Sequence, residues 1–203
     1  MSGHKFKPLI IGKSARPFSR FVNGVDDLPV YYTHNKKAWM TADIFREWFL
    51  TCFLLEISPF IDNNMQVQFL MDNSRAHTSI HIDQQLWAID PNICIKMLPR
   101  NIRPLITPMD QGVLACLKSY QKRRFYSKLL DFYSAHFMDY ATPHALCKAF
   151  LGTYTVVDAI FDIYEGWQTV HATTIKKSFN KVFDMKVWNE LHDNILERFE
   201  EQE

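Results

Sequence analysis

The stretch Val67-Gln68-Phe69-Leu70-Met71-Asp72-Asn73-Ser74-Arg75-Ala76-His77 is a short apolar run that delivers an aspartate at its end. Buried strands that end in a carboxylate present acids to ligands and metals, because α/β folds bind ligands outside the carboxyl ends of their strands. An Asp-Asn pair after a strand can also do no more than turn the chain, so the stretch alone allows both readings. A second acid lies downstream in Pro108-Met109-Asp110-Gln111-Gly112. It follows Pro99, Pro104 and Pro108, which forbid regular structure and fix an extended path.

Working outward, Asn92 to Leu98 reads as the next strand, stopped by Pro99, with Ile82, Leu86 and Ile89 marking a short helix between. A strand, a helix of this length and another strand make a βαβ unit, so the two strands are expected to lie parallel and adjacent. Upstream, residues 5–12 and 28–32 read as strands, the first headed by Pro8. Thr41 is a candidate N-cap with Asp43 in the first turn, opening an amphipathic helix through Leu55. Downstream, residues 113–137 contain neither Pro nor Gly and read as one long helix. Beyond Pro143, helices are expected over 145–165 and from Thr173 or Thr174 to Val182, and residues 187–203 as an acidic helix or frayed tail.

At 203 residues, 47% of them hydrophobic, the chain fits one domain with a sizeable core. The net charge of +1 says nothing about a polyanion partner, so local basic clusters are the place to look for nucleic-acid contacts. Cys52, Cys94, Cys116 and Cys147 form no C-x-x-C pair and are expected as reduced core thiols of an intracellular protein. The opening MSGHKFK has no apolar run, which argues against a secretory leader, and no segment is apolar enough to span a bilayer.

Two carboxylates at separate strand or helix ends suit a divalent-metal phosphoryl-transfer site, since Mg2+ takes hard oxygen ligands and keeps positions open for water and phosphate. Asp72 and Asp110 are placed for that role, with turn-forming and helix-capping roles as the alternatives. His77 reads first as a structural donor. Lys118, Lys122, Arg123, Arg124 and Lys128, interleaved with Tyr120, Phe125 and Tyr126, could contact a phosphate backbone, or could form a solvated helix face. Lys13 and Arg16 add a weaker basic set on a loop.

These motifs occur in a specific order: HKFKPLIIGKSARP, LPVYYTHNKKAWMTADIFREWF, FLMDNSRAH, MLPRNIRPLITPMDQGVL and, more loosely, DAIFDIYEGWQTVHATTIKKSF. Together they cover residues 4 to 183. The set resembles the DDE superfamily endonuclease domain of the pogo, Tigger and jerky transposases. The resemblance implies an α/β, RNase H-like fold with a mixed sheet flanked by helices, cutting and rejoining DNA at three metal-binding aspartates. Asp72 then matches the second acid, in D-N-x-x-x-H, and Asp110 the third, in P-x-D-Q-G, with Asn73, His77 and Gln111 supporting them. Both aspartates would be the metal ligands, for Mg2+ or Mn2+ if the site is active.

The family's first acid lies upstream of the H-K-x-K-P motif, which begins here at His4. The resemblance therefore implies a truncated core over 4–135, lacking the opening strand, with a helical C-terminal extension over 136–203. Arg100 and Arg103 stand where the family has L-P-P-N-x-T/S, adding positive charge near the site. Without an acid to bridge two metals, Asp72 and Asp110 are expected as remnants of a catalytic set. The expected function is a nuclear, transposase-derived protein that binds DNA through Lys13, Arg16, Arg100, Arg103, Lys118, Lys122 and Arg123 without strand transfer. The alternatives are an active endonuclease, if the chain is a fragment, and a non-catalytic interaction domain. A protein partner or second copy could pair with the exposed sheet edge.

Overall fold

The computed structural model describes residues 3–16, 28–63, 65–72, 74–78, 90–98 and 107–182. The helix expected around Ile82 to Ile89, the 187–203 segment, Asn73, Arg100 and Arg103 lie outside the described residues.

Strand β1 (Leu9–Gly12) pairs in parallel with β2 (Tyr31–His34), and β3 (Val67–Met71) pairs in parallel with β4 (Ile93–Met97). The expected parallel pairing of β3 and β4 is therefore present, in register Met71↔Met97. Among the described residues the two pairs form separate two-stranded sheets. Two strand boundaries differ from the sequence reading. Lys5 and Phe6 precede β1 and serve tertiary contacts, while Leu28 and Val30 precede β2 as buried anchors. These anchors pack with Ile10 and Tyr32 on Ile160, which commits their segment to the core before the ladder begins.

The central helical rod is α1 (Ala42–Trp48), a π-helical turn (Phe49–Phe53) and α2 (Leu54–Ile61) in succession. Thr41 caps it as expected, accepting from the Ile44 amide at 3.3 Å. Phe45, Phe49 and Phe53, four residues apart, stack along one face with centroids 6.0 and 5.0 Å apart. They bury against Phe69 and Met71 of β3, so this helix fixes the strand that ends at Asp72. Pro59 deprives the Leu55 carbonyl of its helical donor, and the Ser58 hydroxyl supplies one at 3.0 Å.

After the short α3 (Arg75–Thr78) and a 3-10 turn (Pro108–Asp110), the long helix α4 (Val113–His136) runs as the sequence predicts. The single helix expected over 145–165 is instead two, α5 (Pro143–Thr153) and α6 (Val156–Thr169). Thr155 and Asp158 form a reciprocal capping box that starts a new helix there. Helix α7 (Ala172–Val182) completes the described chain. Helix α6 packs closely on α4: a Cβ on Gly166 would lie 2.9 Å from Leu117 Cδ1 and 3.0 Å from Tyr120 Cδ1.

The cysteines depart from expectation. All four are free, but Cys94 and Cys147 are exposed. In β4 side chains alternate between faces, and Cys94 shares its outward face with Lys96.

Candidate functional site

Asp72 leaves the C-terminal end of β3, held there by the β3–β4 ladder and by the Leu98 amide donating to the Met71 carbonyl at 2.7 Å. Its carboxylate is 14% exposed and accepts from His77 Nδ1 at 2.6 Å, while the same nitrogen lies 3.2 Å from the Asp72 carbonyl. The imidazole also packs on the Phe45 ring, with centroids 4.7 Å apart. One turn of α3, tethered by the His77 amide to the Ser74 carbonyl, brings the histidine back over the strand end. His77 thus holds Asp72 through a charge-assisted bond and is itself held by the aromatic core.

Asp110 stands on the 3-10 turn, whose Pro108 is buried while Asp110 itself is exposed. The N-cap of α4 is Gly112, at φ 104°, and no side chain caps that helix. A left-handed residue at this point admits glycine readily, and it lets the chain swing from the turn into the helix. The capping role considered for Asp110 is therefore not the one it plays. Gln111 follows it, partly buried, its amide donating to the Pro108 carbonyl at 3.0 Å.

The structure brings Asp72 and His77 together and leaves Asp110 on a different element. Among the described residues no group of three or more His, Cys, Asp or Glu side chains is arranged to hold a metal ion. A pair of divalent ions needs several oxygen ligands with positions open, and Asp72 is already engaged by an imidazole. The described donor set does not fit such a pair.

The basic cluster on α4 divides in two. Lys128 Nζ reaches the carboxylate of Asp162, only 1% exposed, at 2.9 Å, and that of Asp158 at 3.9 Å. Arg124 Nε lies 3.4 Å from Glu165 and 3.7 Å from Asp162, close enough for charge attraction but without a hydrogen bond. The Tyr154 hydroxyl donates to the other Asp162 oxygen at 2.9 Å, and burial first, then Asp162, pushes its pKa well above the usual range. Arg124 and Lys128 therefore belong to the α4–α6 interface. Lys118, Lys122 and Arg123 are exposed, and Lys122 and Arg123 line an open groove with Tyr120 and Tyr126. Lys13 and Arg16 are exposed just after β1.

Sequence reasoning missed the acids that receive Arg124 and Lys128. Asp158, Asp162 and Glu165 recur at i, i+4 and i+7 on α6, and such an acidic stripe facing cations at i, i+4 is the signal that could have found them. It also missed Lys5. Its ammonium donates to the carbonyls of Trp167, Gln168 and Val170 at 2.9, 2.7 and 3.1 Å, capping the end of α6. The Trp167 indole donates back to the Phe6 carbonyl at 2.8 Å.

The model of the DDE superfamily endonuclease family matches residues 1–179. The chain belongs to this family. This DDE domain is 30% identical over 191 residues to Tigger transposable element-derived protein 7 of Homo sapiens, covering 90% of the chain and 34% of that protein. It is 26% identical over 185 residues to the human Jerky protein homolog, covering 89% of the chain and 29% of that protein. Tigger transposable element-derived protein 4 of Mus musculus is 29% identical over 182 residues, covering 89% of the chain and 30% of that protein. The chain thus spans about a third of the length of the curated relatives it matches. No solved structure matches it significantly. Among the described residues of this DDE domain, no helix is long and apolar enough to cross a membrane.

Proposed function

We propose that this chain is a DNA-binding module derived from a transposase DDE domain, acting in the nucleus and not cleaving DNA by itself. Lys118, Lys122 and Arg123 form its central phosphate contact, and Lys13, Arg16, Arg100 and Arg103 are its further candidate cations. The observation that carries the reading is the division of charge on α4: Lys128 and Arg124 face the α6 acids Asp162 and Glu165, while Lys118, Lys122 and Arg123 stay exposed to solvent. Membership in an endonuclease family supports DNA as the polyanion. Asp72 and Asp110 are the second and third acids of the ancestral site, Mg2+ or Mn2+ their metals if that site works, and Asn73, His77 and Gln111 their supports. Residues 4–135 are read as an RNase H-like core and 136–203 as its helical extension.

The test is a titration of the full chain with duplex DNA between 50 and 200 mM salt. Binding should weaken steeply with salt, and Lys118→Ala, Lys122→Ala and Arg123→Ala should each lower the log–log slope by about 1. Binding that ignores salt would overturn the DNA assignment. Nicking that requires Mg2+ or Mn2+ and disappears in Asp72→Ala or Asp110→Ala would establish the active endonuclease instead.

A further inference from the structure

Helix α4 carries a second feature that begins beside the basic residues, since Tyr126 and Leu130 line the same groove as Lys122 and Arg123. Its inward face is filled by Phe125 and Phe132, whose rings meet Phe150 at 5.4 and 5.7 Å. On the outward face Tyr126, Leu130, Tyr133 and Phe137 are 58, 63, 46 and 51% exposed. At 100° per residue these four fall within an arc of about 60°, a single apolar seam along the helix. Tyr133 and Phe137 already stack on one another, centroids 6.0 Å apart.

The geometry points to a second copy of this chain as the occupant of the seam, packed antiparallel. The spacing of the four residues is 4, 3, 4, which reads the same in both directions. Turned end for end, a second copy sets Tyr126 against Phe137 and Leu130 against Tyr133, so one register satisfies every member twice. That self-complementarity is what a two-fold interface requires. Ser127 and Ser134 flank the seam and allow close approach of the helices.

Charge selects the direction. Lys118, Lys122 and Arg123 all lie toward the N-terminal end of the seam, and parallel packing would superpose the two clusters. Antiparallel packing puts the two Lys122 residues about 28 Å apart along the axis, beyond the ~10 Å screening length at 0.1 M salt. Each cluster then meets the end that carries the exposed Asp139. Four large side chains about half exposed offer on the order of 400 Å² per copy, the size of the largest, often functional, patch on a monomer. That is about half the ~800 Å² a standard interface takes from each partner, leaving a polar rim to supply the rest. The site differs from the sheet edge considered from the sequence.

Sedimentation of the full chain without DNA tests the inference. The chain should associate to a dimer at tens of micromolar. Leu130→Glu and Tyr133→Lys should each weaken association at least about tenfold, with far-UV circular dichroism and melting showing that both remain folded. Because Leu130 faces Tyr133 of the other copy, mixing these two variants should restore association through one Glu–Lys pair and one native pair. A chain that stays monomeric, that associates only when DNA bridges it, or whose two variants fail to rescue one another would overturn the inference.

Discussion

At the scale of single residues the most informative side chain is Asp162. It is an acid inside the α4–α6 interface, satisfied by Lys128, Tyr154 and the nearby Arg124. Removing one member of such a set costs most when it strands a buried charge. Lys128 is 30% exposed and can reach water alone, whereas Asp162 cannot. Lys128→Met should therefore cost about 3 kcal/mol, and Asp162→Asn, which keeps the shape and removes the charge, clearly less. Urea denaturation of both variants measures the difference, and a larger loss for Asp162→Asn would mean that Lys128, not Asp162, is the stranded ion. Asp72 was legible from the sequence because a strand end needs only a short apolar run to be recognised. Asp162 was not, because its cation Lys128 lies 34 positions away on another helix.

At the scale of elements, the H-K-F-K-P segment has a physical task that its sequence did not announce. A strand reading placed Lys5 and Lys7 in a ladder, but the ladder begins only at Leu9. Lys5 instead closes the C-terminal end of α6, where unsatisfied carbonyls and the negative end of the helix dipole favour a cation. Burial lowers its pKa, the cost of taking an ammonium partly out of water. Lys5→Met should cost about 1–2 kcal/mol and speed amide exchange in the last turn of α6 while leaving α4 unchanged. Protection lost evenly across the domain would show that Lys5 supports global packing only. The long helix and the β3–β4 pair were legible because periodicity and the βαβ rule are local. The break at Tyr154–Thr155 was readable in principle, since Thr155 and Asp158 are spaced as a capping box, but an uninterrupted apolar pattern hid it.

At the scale of the whole molecule, the β1–β2 layer lies between α6 and the α1–α2 rod, with Ile10 and the preceding Val30 packing with Ile160 and Tyr31 facing the rod. Tyr31 records how tight that layer is. Burial, then the hydrogen bond and charge of Glu56, with Cys52 adding a little, push its phenol up to about 12. The same Glu56 carboxylate accepts from the Lys7 amide at 3.1 and 3.2 Å, and the Lys7 ammonium sits 4.9 Å over the Tyr31 ring. The unfolded chain releases that proton near pH 10, while the folded chain keeps it to about 12. Between those values the folded state binds more protons, so stability is full below pH 10 and falls as pH rises through 12. Asp158 works at the opposite end. Burial alone would raise its pKa, but hydrogen bonds from Thr155 and the Lys128 charge hold it below the usual carboxylate range. Its contribution is present at neutral pH and disappears as pH falls through that depressed value. Urea unfolding from pH 9 to 12 should show the alkaline decline, made shallower in Tyr31→Phe, whose ring fills the same layer without a proton to lose. An unchanged slope in that variant would mean that Tyr31 ionises alike in both states and that the layer between α6 and the α1–α2 rod is open to water.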